Sequence, residues 1–174
     1  NLIRQTYKEV PIIIGGIEAS LRRLAHYDYW DNKIKRSLLL DASADLLVYG
    51  MAEKSIIEVA DSLNEGIPID QLTYIKGTVF KTKSIDELVD IKILPSFTEV
   101  KKDKLSYAHS FLMQTKETHF ALGSSIVEKY MDNEYIVQNP PMPPVSKDEF
   151  DSYYELPYMR DVHYSYKEKV PAIE

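Results

Sequence analysis

Apolar positions along this chain follow two patterns. Two short unbroken runs, Ile12, Ile13, Ile14 and Leu46, Leu47, Val48, each lead into glycine. Such runs fit strands covered on both faces, as in a parallel sheet. Elsewhere apolar residues recur at helical spacing. Ile17, Leu21 and Leu24 form one set, with Glu18, Arg22 and Arg23 pointing elsewhere; Trp30, Ile34 and Leu38 form a second, opposite Lys33, Lys35 and Arg36. A third set, Ile56, Ile57, Ala60 and Leu63, faces inward on a helix opened by Glu53 and closed by Gly66 with Pro68 beyond. Residues 73–80 alternate weakly and read as an edge strand. The order is strand, helices, strand, helix, strand, which is βαβ logic with a parallel sheet.

The remaining segments read differently. Residues 1–9 form the end of a helix, with Leu2, Ile3 and Tyr7 apolar. Ser84 and Glu87 have capping-box spacing and open a short helix or turn. Residues 97–118 carry one substantial helix through Leu105, Ala108 and Leu112, and residues 125–130 and 134–138 form a hairpin about Asp132 and Asn133. The string NPPMPP at 139–144 is polyproline II. A second capping box, Ser146 and Glu149, opens a helix that Pro157 stops. The predicted organisation is an α/β half-domain over residues 1–83, a helix and β-hairpin extension over 84–138, and a Pro/Tyr-rich linker over 139–174. Polyproline backbone has no internal hydrogen bonds and tyrosine suits half-buried contacts, so the linker is expected to lie across the α/β core.

Candidate chemistry centres on Gly15 and Gly16. A glycine pair after a strand permits a tight turn and close approach of a ligand, at the strand ends where ligands of open α/β sheets collect. The alternative is an ordinary strand-to-helix turn. The pair belongs neither to G-x-G-x-x-G nor to a P-loop. Arg22 and Arg23 are candidates for an anion or partner contact, and Glu53 for a favourable place at a helix N-terminus. His26, His109, His119 and His163 lack metal-ligand spacing, so no metal site is expected. The net charge of −6 argues against chain-wide attraction to nucleic acid but leaves room for a local basic patch. No run reaches membrane-span length and no secretory signal opens the chain, which makes cytoplasm the default location. With zero cysteines there are no disulfides, thiolate metal sites or cysteine nucleophiles here. A start at Asn1 and an end at residues 172–174, reading as the beginning of an extended apolar segment, suggest an excerpt of a longer protein.

Four strings carry a resemblance: GGIEASLRRLAHYDYW at 15–30, ADLLVYGMAE at 44–53, VQNPPMPP at 137–144 and YELPYMRDVH at 154–163. Together they resemble the YgiQ-type radical SAM proteins, while residues 84–124 contribute little. More broadly, the order Gly-Gly, Asp-x-x-x-x-Gly, Glu is similar to the Rossmann-like N-terminal domains of cobalamin-dependent radical SAM enzymes. The resemblance implies that Gly15 and Gly16 line the pocket for the corrinoid's nucleotide tail, with Glu18 beside them and Gly50 and Glu53 at the next strand end. Arg22, Arg23, His26, Trp30, Arg160 and His163 become candidates for substrate contact or the domain junction. The family's D-x-H-x-x-G loop is not in this chain. Its C-x-x-x-C-x-x-C loop would follow Glu174, so the [4Fe-4S] cluster and S-adenosylmethionine are implied for the full-length protein only. The expected fold is a partial Rossmann-like α/β sheet with an α+β extension. The expected role is the N-terminal portion of a radical SAM enzyme, packing on its own C-terminal catalytic barrel. The alternatives are an independent cobalamin- or nucleotide-binding module, and a non-catalytic scaffold or protein-interaction domain.

Overall fold

The computed structural model describes residues 2–167. The chain divides into two units, residues 1–143 and 144–174. Residues 172–174, expected to begin an extended segment, lie outside the described residues. In the first unit α1 (Leu2–Thr6) and β1 (Ile13–Ile14) precede α2 (Gly16–Leu21), β2 (His26–Asp28) and β3 (Lys33–Lys35). Then come α3 (Leu38–Asp41), β4 (Leu46–Val48), α4 (Glu53–Asn64), β5 (Thr78–Thr82) and β6 (Ile91–Ile93). The unit continues with α5 (Phe97–Lys102), α6 (Lys104–Lys116), β7 (Ser125–Met131) and β8 (Glu134–Gln138).

Six strands form one α/β sheet in the order β1-β4-β5-β8-β7-β6. The outer pairs, β1 with β4 and β6 with β7, are parallel; the three pairings between them are antiparallel. The βαβ expectation therefore holds for β1 and β4. The weak alternation of residues 73–80 predicts an edge strand, yet β5 sits between β4 and β8. Its Thr78, Val79 and Phe80 are all buried, and this double coverage is why its alternation is weak. Strands from both the 1–83 and 84–138 segments join this one sheet.

The core lies on both faces of the sheet. Leu47, Val79, Ile126 and Ile136 pack with Leu24 and Leu39 on one face. Their chain neighbours Leu46, Phe80, Val127 and Val137 pack with Val59, Leu72 and Ile75 on the other. Successive strand residues point to opposite faces, so burial of both makes a continuous apolar run.

Three local expectations need correction. The predicted second helix is the hairpin β2–β3, pairing His26 with Lys35, Tyr27 with Ile34 and Asp28 with Lys33. Aromatics at 27, 29 and 30 favour strand and turn over helix, Asn32 takes a left-handed φ of 48°, and the Asp28 carboxylate accepts the Asp31 N–H at 2.9 Å. Trp30 accordingly lies in the turn, 86% exposed. In α2 the buried residue is Ala19, while Ile17 and Leu21 are 82% and 72% exposed, so of the helically spaced set only Leu24, beyond the helix, is buried. In α4 the buried residues are Ser55, Val59 and Ser62, while Ile56, Ile57 and Ala60, expected inward, are exposed; the turn expected after Ser84 is present, the Ser84 hydroxyl accepting the Asp86 N–H and the Leu88 N–H donating to the Ile85 carbonyl.

The helix predicted over 97–118 is two helices. Ser96 and Glu99 form a reciprocal capping box on α5, and Asp103, extended at φ −131°, ends α5 and caps α6. An aspartate is suited to that break because its carboxylate satisfies two N–H groups of the new helix. The β7–β8 hairpin is present, with Asn133 at φ 69°. In the second unit the Ser146–Glu149 capping box opens α7 (Lys147–Tyr154) as expected. Among the described residues no helix is long and apolar enough to cross a membrane.

Candidate functional site

The parallel pair β1/β4 delivers two glycine loops to its carboxyl end. Gly15 is extended, and a Cβ on it would lie 2.8 Å from Val48 Cγ2, so only glycine allows this approach of β1 to β4. Gly16 and Gly50 take left-handed φ values of 89° and 70°, and a Cβ at either would meet open space. Ser20 joins the two loops: its hydroxyl donates to the Gly16 carbonyl at 2.8 Å and accepts the Gly50 N–H at 3.1 Å. Glu53 stands in the first turn of α4 with one carboxylate oxygen buried and unpartnered. Glu18, in the first turn of α2, is exposed and pairs with Arg22 at 3.2 Å.

Behind the loops lies a polar junction. Arg23 Nε donates to Gln138 Oε1 at 2.6 Å, a second guanidinium nitrogen donates to the Ser20 carbonyl, and its carbon sits 5.0 Å from the centre of the Tyr49 ring. The Tyr49 hydroxyl donates to the Asn139 carbonyl at 2.6 Å. Asn139 Nδ2 reaches the carbonyls of Thr73 and Ile75, each at 2.9 Å, and Thr78 Oγ1 at 3.1 Å. Gly77, at φ 73°, closes the circuit by accepting the Tyr49 N–H at 2.9 Å and donating to the Pro140 carbonyl at 2.8 Å. The strings at 15–30, 44–53 and 137–144 thus meet in one hydrogen-bonded junction. Burial lowers the Arg23 pKa and raises that of Tyr49.

The other predicted residues are dispersed. Arg22 also approaches the Asp28 carboxylate at 3.7 Å; that carboxyl is held below its usual range first by the Asp31 N–H and then by the nearby cations. His26 is half-buried with Nδ1 3.1 Å from the Leu24 carbonyl, and burial pushes its pKa down. Trp30 touches Tyr29 edge-on at the hairpin turn. Arg160 and His163 belong to the second unit, where Arg160 donates to the Tyr154 carbonyl and His163 Nδ1 pairs with Ser165 Oγ at 2.8 Å. The structure therefore brings Gly15, Gly16 and Gly50 together, with Arg23 behind them, and leaves Trp30 outside that group.

Sequence reasoning missed Ser20, Tyr49, Gly77, Gln138 and Asn139 as parts of this junction, although all but Gly77 stand inside the quoted strings. It also missed a buried acid. Glu128 on β7 is 0% exposed, with Oε2 accepting the Ala25 N–H at 2.8 Å and the Tyr130 hydroxyl, while Oε1 has no partner. Tyr130 in turn accepts the Ser37 N–H at 3.1 Å. Ala25 and Ser37 flank the β2–β3 hairpin, so this pair fastens both of its ends. Burial raises the Glu128 pKa to about 7 despite those hydrogen bonds, and burial also raises that of Tyr130, with help from Glu128. The only hint in sequence is an acid at 128 directly after the apolar pair Ile126 and Val127.

The donor set does not suit an iron–sulfur cluster, because the chain has no thiolate to offer. Among the described residues no group of three histidine, aspartate or glutamate side chains could hold a metal ion.

Comparison with known proteins adds the family. Residues 1–174 match the family model described as Radical SAM N-terminal. The chain is 48% identical to a UPF0313 protein of Clostridium botulinum, covering 100% of this chain and 27% of that one. It is 49% identical to a UPF0313 protein of Clostridium perfringens with the same coverage, and 48% identical to one of Methanocella arvoryzae, covering 99% of this chain and 29% of the relative. This chain thus spans a little over a quarter of the relatives' length. No solved structure matches.

Proposed function

From the premise that this chain belongs to the Radical SAM N-terminal family, we propose that it is the non-catalytic N-terminal portion of a YgiQ-type radical SAM enzyme, packing on that enzyme's own C-terminal barrel in the cytoplasm. The observation that carries this reading is the match over residues 1–174 by a chain that spans 27% of its relatives and holds no cysteine. A thiolate-ligated [4Fe-4S] cluster, and reductive use of S-adenosylmethionine, would then depend on residues outside this chain. Residues 139–174 would lead into the barrel.

Exposed aliphatic side chains support the packing role. Ile17 and Leu21, one helical turn apart on α2, are 82% and 72% exposed, and Met51 beyond β4 is 52% exposed. Paired exposed aliphatic side chains of this kind mark surfaces that another surface covers. Arg23 and its partners would keep the strand ends rigid beneath that contact.

A second reading, in which the chain itself holds a corrinoid or another nucleotide, is favoured by the open space at Gly16 and Gly50. Glycine at both loops would let a ligand reach the backbone.

One experiment separates the readings. The full-length protein, purified anaerobically, is expected to carry about four irons per chain and to form 5′-deoxyadenosine from S-adenosylmethionine. Residues 1–174 alone are expected to be colourless, iron-free and without spectral change on titration with hydroxocobalamin. Stoichiometric iron on residues 1–174, or a full-length protein without iron, would sink the first reading. Saturable binding of hydroxocobalamin, lost in Gly16→Val, would establish the second.

A further inference from the structure

The β2–β3 hairpin and the α5–α6 corner enclose a cavity of about 530 Å³, away from the glycine loops and unused by the proposed function. That volume is within the usual range of small-molecule sites. Ile34, Tyr27 and Tyr107 line it. Both tyrosines are tied down: the Tyr107 hydroxyl accepts the Tyr27 N–H at 3.2 Å, and the Tyr27 hydroxyl donates to Asn32 Oδ1 at 2.8 Å. Four lysines, Lys33, Lys101, Lys102 and Lys104, share the lining with one acid, Asp103. Asp103 is already committed, accepting the Ser106 hydroxyl and the Ser106 N–H, each at 2.8 Å, and the Leu105 N–H at 3.3 Å as the cap of α6, and these bonds hold its pKa low. Among the described residues Lys33, Lys102 and Lys104 have no carboxylate partner, in a chain whose net charge is −6.

Aromatic walls with unpaired ammonium groups favour a ligand with a flat ring at one end and a multiply charged anion at the other. A hydrophobic ligand would leave the ammonium groups unused, and a simple anion would leave the rings unused. The same hairpin continues into Tyr29 and Trp30, 76% and 86% exposed, which offer further stacking faces beyond the cavity. We propose that this cavity binds a nucleotide, with the base against Tyr27 and Tyr107 and the phosphate among Lys33, Lys102 and Lys104. The nucleotide is either free or one unit of a single strand, and the chemistry of recognition is shared. This inference stands whether or not the glycine loops bind anything.

The test uses the full-length protein with AMP, followed by calorimetry, and a short fluorescein-labelled oligouridylate, followed by anisotropy. Binding of at least one probe is expected, weakening as salt rises because lysine–phosphate contacts carry it. Lys102→Glu/Lys104→Glu should weaken it by about tenfold or more, the worth of a lost charge-assisted hydrogen bond. That variant places one acid at the end of α5, where the helix dipole disfavours it, and one at the start of α6, where the dipole favours it; the two small effects oppose, so its melting temperature should change little. Lys33→Glu, on the opposite wall, should weaken binding in the same direction. Binding of AMP alone identifies a free nucleotide, and binding of the oligonucleotide identifies a strand; both uphold the proposal. Failure of both probes, or binding unchanged in both lysine variants, overturns it.

Discussion

The glycine-loop junction and the hairpin cavity use similar side chains to opposite ends. At the junction an arginine, a tyrosine, a glutamine and an asparagine are consumed by one another: Arg23 by Gln138 and Ser20, Tyr49 by Asn139, and Asn139 by Thr73, Ile75 and Thr78. At the cavity the lysines keep their charge unspent and the aromatic rings stay open. A long family-specific string thus marks where the chain is held together as readily as where it touches something else. Arg22 and Arg23 show this within two residues, since both are engaged inside the chain, one with carboxylates and one beneath the loops.

The contrast can be broken by substitution. The largest effect is expected at Gly77. A Cβ there would lie 2.5 Å from Ser55 Oγ and 3.3 Å from Met142 Cβ, on a backbone at φ 73°. Gly77→Ala should destabilise by roughly 3 kcal/mol, combining overpacking with left-handed strain, as read from urea unfolding. At Gly16 the strain stands without the clash, so Gly16→Ala should lose only about 1 kcal/mol. Equal losses at the two sites would mean that Gly77 is not a closed part of the junction.

The next effect belongs to Glu128, which fastens the hairpin to the sheet. Its folded pKa of about 7 lies above the ordinary unfolded value, so the folded state holds this proton more tightly. Its contribution is therefore fully present below about pH 4 and is lost as pH rises through about 7, by up to about 3 kcal/mol. Asp28, Glu99, Asp103 and Glu117 have lowered pKa values and act the other way, losing stability only as pH falls through the acid range. His26, whose pKa burial lowers, adds stability as pH rises through this window. Urea midpoints between pH 5 and pH 7 should thus rise for Glu128→Gln and fall relative to that variant in the natural protein. Parallel curves for the two would remove Glu128 from that role.

The smallest effect is expected at the cavity rim. Lys102→Glu/Lys104→Glu should change stability by less than about 0.5 kcal/mol, since exposed and unpaired charges contribute little to folding. A loss comparable with that of Gly77→Ala would show that these lysines serve the fold, and would erase the difference between the two regions.

Sequence by itself determined the elements whose cause is local. The runs at 12–14 and 46–48, the glycine turns, α4, the β7–β8 hairpin and the Ser146–Glu149 cap all rest on residues a few positions apart. It also determined that no thiolate chemistry belongs to this chain. Tertiary structure decided the rest. Whether residues 73–80 sit at an edge or inside depends on β8, some 55 residues later, because burial is a property of neighbours and not of the strand. Ile17 and Leu21 carry helical spacing but face outward, since periodicity identifies an apolar face without saying what covers it. The hairpin at 26–35 defeated the same periodicity because Trp30, Ile34 and Leu38 match a 3.6-residue repeat by accident, while Asn32 and the aromatics set the turn. The junction of Arg23, Tyr49 and Gln138 lies furthest from what local pattern could reveal: its partners are up to 115 positions apart, and only the folded sheet brings them within hydrogen-bonding distance.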